Sequence, residues 1–174
     1  LKQLAATGLG ARGAQRRVAV GRLHRIHHAV YSIVPRELLT RDGHRMAAVL
    51  ACGDRAALCR CAAAALLDLR PSSRRRIEVI VAMRTRRRRP GIEVHCSTTL
   101  SDEDIVRVRN IPCTSVARTL LDLAAVVSRR SLERAFDQAE ITKVFDLRAL
   151  QRQLERNPNH PGRPAVEAVL AEHY

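Results

Sequence analysis

Residues 8–13 read G-x-G-x-x-G, a spacing that in other proteins holds the diphosphate of a dinucleotide. That chemistry needs a strand before the glycines, a helix after them and an acidic residue about 20 positions further on. Residues 2–6 are poor strand formers, and the first acidic residue of the chain is Glu37. The glycines are therefore predicted to form a turn between two helices, and no nucleotide cofactor is expected.

Closely spaced histidines and cysteines are the next candidate functional residues, because both residue types can bind metal ions. His24, His27 and His28 lie close together, but strand residues three positions apart point to opposite faces, and no carboxylate or thiol is near them in sequence. Cys59 and Cys61 would diverge by about 200° on a helix. The sequence therefore predicts no metal site, and the two cysteines are interpreted as small buried residues.

Known arrangements of catalytic residues are also missing from the sequence. A restriction-type nuclease core needs Asp followed by Asp/Glu-x-Lys, yet Lys143 has Ile141 two positions before it, and Lys2 is the only other lysine. Neither lysine follows a glycine as in a phosphate-binding P-loop, and no G-x-S-x-G motif occurs. The chain is therefore predicted not to be an enzyme.

Positive charge is concentrated in two segments. The chain has 31 Lys+Arg against 17 Asp+Glu, a net charge of +14. Residues 1–35 hold six basic residues and no acid, and residues 70–95 hold nine basic and two acidic residues, whereas residues 100–174 hold eleven of each. A GC-rich genome loads proteins with arginine regardless of function, but this would spread the charge evenly. Its localisation instead indicates a surface that faces a polyanion.

The elements that carry the first basic segment are predicted to be two helices and a hairpin. One helix ends at Gly8, and a second runs from Gly10 to about Val20, with an apolar face of Ala11, Ala14 and Val18. Residues 22–27 and 30–33 are rich in β-branched and aromatic residues and predict a short hairpin that turns at residues 28–29. This order is that of a winged helix-turn-helix without its first helix, which we expect to cover residues 1–35.

A second unit is predicted over residues 36–174, with a small sheet and several helices. Helices are expected over 43–52, 55–69, 131–143, 146–155 and 164–172, and another is expected to begin at the N-cap Thr114 and end near 127. Strands are expected over 77–81 and 92–96, joined by the basic loop Arg84–Arg89, and over 106–108 and 111–113. The fold class is therefore α+β.

Double-stranded DNA is the polyanion that fits the first segment best. Arginine can bridge guanine O6 and N7, glutamine can bridge adenine N6 and N7, and further arginines contact phosphates. A solvated helix face is the alternative, and for the basic loop an acidic protein partner is another. The residues predicted to contact DNA are Arg12, Gln15, Arg16, Arg17, Arg22, His24, Arg25, His27, Arg86, Arg87 and Arg88.

Four stretches resemble a known family. Residues 22–31, 46–53 and 69–71, and most specifically residues 111–124 (IPCTSVARTLLDLA), are similar to AbiEi-type antitoxins of actinobacteria. The resemblance implies a transcriptional autoregulator with an N-terminal winged helix, which belongs to a type IV toxin–antitoxin system with a nucleotidyltransferase toxin. In that family the hairpin turn usually has Gly where Ala29 stands. Within residues 111–124, Arg118 and Asp122 are one helical turn apart and can pair, while the rest is interpreted as core.

Further expectations concern the whole protein. Many relatives carry a C-terminal domain similar to Vsr-type endonucleases, so the alternative function is the DNA-targeting part of a nuclease whose catalytic domain lies beyond residue 174. The chain begins at Leu1 and is expected to be a fragment. Five cysteines at irregular spacing are typical of a reducing cytoplasm, and no apolar run is long enough for a membrane span.

Overall fold

Two short helices separated by a glycine turn open the chain. The computed structural model describes residues 2–82 and 89–173. Helix α1 covers Lys2–Ala6 and helix α2 covers Ala11–Ala19. Between them Gly8 has φ +81°, which glycine adopts without steric cost. The predicted turn between two helices is confirmed, and a helix precedes the glycines where dinucleotide binding needs a strand.

A two-stranded hairpin follows and is also as predicted. Strand β1 (His24–His27) pairs antiparallel with strand β2 (Val30–Ser32). In the connecting turn Ala29 has φ +58°, a left-handed conformation that a residue with a Cβ atom adopts at a cost.

Helix α3 (Arg41–Cys52) supports the hairpin. Ile26 of β1 and Val30 of β2 form a buried apolar cluster with Ala47 of this helix. The first 35 residues therefore share a hydrophobic contact with the chain beyond them. The division into units 1–35 and 36–174 stays a prediction.

A five-stranded mixed sheet organises the remaining chain. Its strands lie in the order β5-β4-β3-β7-β6, with the bounds β3 Ala57–Leu58, β4 Ile77–Val81, β5 Ile92–Cys96, β6 Ile105–Val108 and β7 Ile111–Thr114. The pairs β4–β5 and β3–β7 are parallel, and the pairs β3–β4 and β6–β7 are antiparallel. Helices together with a mixed sheet confirm the α+β class.

Helix α5 is the centre of the helical part of the core. The later helices are α4 Arg60–Leu66, α5 Val116–Ala124, α6 Arg129–Ile141, α7 Leu147–Arg156 and α8 Arg163–His173. Helix α5 packs against the other four. Its Leu120, Leu121 and Leu123 are completely buried. The interpretation of residues 111–124 as mainly core is confirmed.

Two predicted elements are wrong in detail. Residues 55–69 are not one helix, because Ala57–Leu58 form the central strand and the helix begins only at Arg60. This strand pairs with β4 on one side and β7 on the other, and those ladder hydrogen bonds outweigh the helix propensity of its alanine-rich sequence. Thr114 is the last residue of β7 rather than an N-cap. Ser115 caps α5, with its hydroxyl oxygen accepting from the Arg118 amide at 3.3 Å.

Candidate nucleic-acid interface

Helix α2 turns its polar face to solvent. Ala14 is completely buried and Val18 is half-buried, so this side of the helix contacts the protein. Ala11, which was expected on the same buried side, is exposed because it lies at the first helical position. The exposed residues include the four that were predicted to face DNA, namely Arg12, Gln15, Arg16 and Arg17.

The arginines of this face form no ion pair with the described residues. Residues 1–36 contain no acid. Within 2–82 and 89–173, Arg12, Arg16 and Arg17 form no ion pair, whereas Lys2 of α1 pairs with Asp54 at 2.5 Å. The three α2 arginines therefore present their full charge to an approaching anion.

The hairpin alternates buried and exposed residues. Ile26 points into the apolar cluster while Arg25 is exposed, and Arg22 is exposed just before the strand. One guanidinium nitrogen of Arg25 lies 3.1 Å from Nδ1 of His28. His24 is half-buried. In the ranges that the structure describes, no group of three or more His, Cys, Asp or Glu side chains could hold a metal ion.

Two arginines outside the set of residues predicted to contact DNA lie near the hairpin and the end of α3, and one of them, Arg89, ends the basic loop for which DNA contact is considered. Arg36 Nη1 donates to the carbonyl oxygen of Ile26 at 2.9 Å, so this guanidinium is held against β1. Arg89 Nε donates to the carbonyl oxygen of Ala51 at 2.7 Å, near the end of α3. The only sequence signal for Arg36 is that it follows the hairpin directly, after Pro35.

His27 connects these arginines electrostatically. Its pKa is lowered from the ordinary value of 6.5, first by burial and then by the positive charges of Arg36, His44 and Arg89. His27 lies on β1, Arg36 follows the hairpin, His44 lies on α3 and Arg89 precedes β5. The predicted DNA-binding residues Arg86, Arg87 and Arg88 lie outside the described residues.

A second concentration of charge is buried and links α5 to α7. Arg118 Nε donates to Asp122 Oδ1 at 2.9 Å, which confirms the pair expected from their spacing. Arg118 Nη1 lies 3.8 Å from Oδ2 of Asp104, and Arg156 Nη2 donates to the other oxygen of that carboxylate at 2.5 Å. Because Arg118 and both acids are almost inaccessible to solvent, this cluster holds elements together and offers no surface to a ligand.

Two neighbouring cysteines and a glutamate are also packed inside. Cys59 and Cys61 are buried as predicted, and burial raises the pKa of both thiols, so neither is activated as a nucleophile. Glu78 is completely buried, and its carboxylate accepts from the Cys61 amide at 3.0 Å. Burial raises the pKa of Glu78, against the opposing charge of Arg74. Cys52, Cys59, Cys61 and Cys113 form no disulfide bond.

No family model matches the chain. A search of curated proteins finds no significant match either. In the described part of the chain, no helix has the length and apolar character needed to cross a membrane. The arrangement of its own surface residues is therefore the basis for a function.

Proposed function

We propose that the protein is a transcriptional regulator that binds double-stranded DNA through a winged helix-turn-helix. In this proposal α2 is the recognition helix and the β1–β2 hairpin is the wing. The observation that carries it is the exposed row of Arg12, Gln15 and Arg16 on a helix that is followed directly by a basic hairpin, in a segment free of carboxylates up to Glu37.

The spacing on α2 suits a major groove. Arg12 and Arg16 are four residues apart and therefore lie one above the other, with Gln15 beside Arg16. An α-helix fits the groove, where arginine can bridge the two acceptors of guanine and glutamine can pair with adenine. Arg17 lies at the edge of this row, in position for a phosphate.

The hairpin supplies sequence-independent contacts. Arg22 and Arg25 are exposed and can reach backbone phosphates next to the groove that α2 occupies. The contact of Ile26 and Val30 with Ala47 holds the hairpin on α3, so its orientation does not depend on the two short helices alone.

We also propose that the regulator is the antitoxin side of a toxin–antitoxin module, with a nucleotidyltransferase-type toxin as its protein partner. The support is the resemblance of four sequence stretches, most specifically residues 111–124, to AbiEi-type antitoxins. Binding at its own promoter would repress the operon.

DNA titration at several salt concentrations tests the first proposal. If Arg12, Arg16, Arg17, Arg22 and Arg25 each neutralise a phosphate, log affinity against log salt should fall with a slope of about −4 to −5. The duplex is the region upstream of the protein's own gene. A flat salt response would contradict the proposed interface.

Co-expression with a neighbouring nucleotidyltransferase gene tests the second proposal. The unaltered chain should restore growth that the toxin stops. The double variant Arg12→Ala/Arg16→Ala should lose promoter repression and still restore growth, because α2 is the DNA-reading element and not the toxin-binding surface. Failure of the unaltered chain to protect would remove the antitoxin role and leave DNA binding standing.

A further inference from the structure

Two adjoining cavities lie where the chain after α4 meets the beginning of α6. The smaller has a volume of about 260 Å³ and the larger of about 700 Å³, and both are lined by Arg70, Pro71 and Ser131. The larger cavity has the size of a pocket for a small organic molecule. Among the described residues that line the two cavities, none belongs to α2 or to the hairpin, so they are separate from the proposed DNA interface.

The smaller cavity is rich in hydrogen-bond donors. Two guanidinium groups and four hydroxyl groups line it, from Arg70, Arg74, Ser72, Ser73, Ser128 and Ser131. The described residues of its lining include no carboxylate. Guanidinium and hydroxyl donors have one kind of ligand in common, an anion with several accepting oxygens.

The protein uses the acceptors of this cavity and leaves donors unused. Ser72 Oγ accepts from the Arg74 amide at 3.4 Å, and Ser131 Oγ accepts from the Ser128 hydroxyl at 3.1 Å. Within residues 2–82 and 89–173, neither Ser72 nor Ser131 donates its own hydroxyl hydrogen to another group. Both hydrogens are therefore available to a ligand that supplies acceptors.

The guanidinium of Arg70 carries a charge that no carboxylate cancels. Its Nη1 donates to Cys61 Sγ at 3.5 Å, and in the part of the chain that the structure describes it forms no ion pair. Arg74 differs, because its Nη1 lies 3.5 Å from Oε1 of the buried Glu78. Since Arg70 is half-buried, an anionic ligand beside it would stabilise a cation that has lost part of its hydration.

The larger cavity offers acceptors and apolar surface as well. The side chains that it adds include two carboxylates, an amide, one guanidinium and two apolar groups, from Asp68, Asp137, Gln138, Arg134, Leu69 and Ile141. Carboxylates accept hydrogen bonds from hydroxyl groups and repel a phosphate. A ligand with both groups is therefore oriented, with its phosphate in the smaller cavity and its hydroxyl groups in the larger.

We propose that the two cavities form a binding site for a small phosphate monoester that carries hydroxyl groups, such as a sugar phosphate. Its phosphate oxygens accept hydrogen bonds from Arg70, Arg74 and the Ser131 hydroxyl, and its own hydroxyl groups donate to Asp137. Arg70 and Ser131 line both cavities and therefore lie where the phosphate joins the rest of the ligand. The site does not depend on the proposed DNA-binding function, and either can fail alone.

Isothermal titration calorimetry of the full chain tests this site with ribose 5-phosphate, inorganic phosphate and ribose as probes. Ribose 5-phosphate should bind most tightly, because only this probe occupies both cavities. Arg70→Gln removes the uncancelled charge and should weaken its binding by about 10-fold or more. The matched control is Arg148→Gln on α7, which removes one exposed charge outside both cavities and should leave the affinity unchanged.

The orientation of the ligand has its own test. Asp137→Ala should lower the affinity for ribose 5-phosphate relative to that for inorganic phosphate, because only the sugar reaches the larger cavity. NMR of the unaltered protein needs no substitution. Ribose 5-phosphate should shift the amide signals of residues 70–74 and 128–131.

Several outcomes would overturn the site. Ribose 5-phosphate could bind no more tightly than inorganic phosphate, bind equally well to Arg70→Gln and Arg148→Gln, or shift only amides elsewhere in the chain. An unchanged affinity ratio in Asp137→Ala would contradict the proposed orientation and with it the choice of ligand. A DNA duplex that displaces ribose 5-phosphate would make the cavities part of a nucleic-acid interface instead. Promoter binding that persists without any ribose 5-phosphate binding would leave the proposed function standing.

Discussion

Arg118 and Asp122 form a buried ion pair inside the helical core, with Nε and Oδ1 2.9 Å apart and side chains that are 2 % and 5 % exposed. Water cannot replace either partner at this depth. The pair is joined to Asp104, which accepts hydrogen bonds from Gln153 and Arg156 of α7. The turn that precedes β6, helix α5 and helix α7 are thus connected by charge as well as by apolar contact.

Removing Arg118 should therefore destabilise the protein strongly. Arg118→Met fills a similar volume but removes the guanidinium from the buried Asp122, which keeps only His160, with Nε2 3.3 Å from Oδ1, as a basic neighbour. The loss is expected to lower the free energy of unfolding by about 3–5 kcal/mol. The double variant Arg118→Met/Asp122→Leu should lose less than the sum of the single variants. Urea unfolding measures both. Glu167→Ala, which breaks the partly exposed pair with Arg163, is the control and should cost less than about 1 kcal/mol. Strict additivity would show that the pair is not coupled.

The carboxylate of Asp104 should make this stability depend on pH. Burial opposes its ionisation, but hydrogen bonds from the Ser101 amide, Gln153 and Arg156, together with the charge of Arg156, outweigh burial and lower its pKa below the ordinary 3.8. The stabilisation is complete above pH 3.8 and is lost as pH falls through the lower pKa of the folded state. Asp104→Asn should cost about 2 kcal/mol at pH 7. Urea midpoints should then converge with those of the unaltered protein as pH is lowered below 3.8. A pH-independent difference would contradict this account.

Local sequence patterns predicted the elements that form between residues close together in the chain. The hairpin follows from β-branched and aromatic residues on either side of a two-residue turn, and the strand pair β6–β7 follows from the same signal. Strand β3 could not be predicted, because Ala57–Leu58 have no strand propensity and are extended only through partners 20 and more positions away. The parallel pairing of β4 with β5 is likewise set by the sheet and not by the residues between them.

In the candidate interface, too, some features could be predicted from the sequence and others could not. Exposure of Arg12, Gln15 and Arg16 follows from helical periodicity, which a sequence shows directly. The positions of the Arg36 and Arg89 guanidinium groups do not, because each is bound by a backbone carbonyl oxygen of another element.

The turn of the wing should gain stability from a glycine. Ala29 has φ +58°, where a Cβ atom collides with the backbone and glycine does not. Ala29→Gly is expected to raise the free energy of unfolding by up to about 1 kcal/mol, since part of the relief is offset by the flexibility of glycine in the unfolded chain. Ala19→Gly in α2 is the control and should destabilise by about 0.5–1 kcal/mol. Thermal unfolding measures both changes, and equal losses would show that the turn carries no strain.

The backbone amides of α2 should be less protected from hydrogen exchange than those of α5. Among residues 2–19 only Ala14 is buried, whereas seven of the nine residues of α5 are buried. Amides of α2 should therefore exchange at least roughly 100-fold faster than those of α5. The hairpin should be intermediate because Ile26 and Val30 pack on Ala47. Adding promoter duplex should slow exchange in α2 and leave α5 unchanged, and slowing confined to α5 would place the DNA elsewhere.

Sequence reading by α2 can be separated from attraction of a highly charged protein to any polyanion. Gln15 carries no charge, so Gln15→Ala should leave affinity for a random duplex nearly unchanged. If its amide pairs with an adenine edge, the same variant should weaken binding to the protein's own promoter by about 1–3 kcal/mol. Arg148→Gln, remote on α7, removes one charge and should leave the promoter-to-random ratio as it is. Parallel titrations at one salt concentration give that ratio for each variant. If Gln15→Ala, Arg12→Ala and Arg16→Ala all leave the ratio unaltered, α2 is not the recognition helix, and its arginines act only by charge.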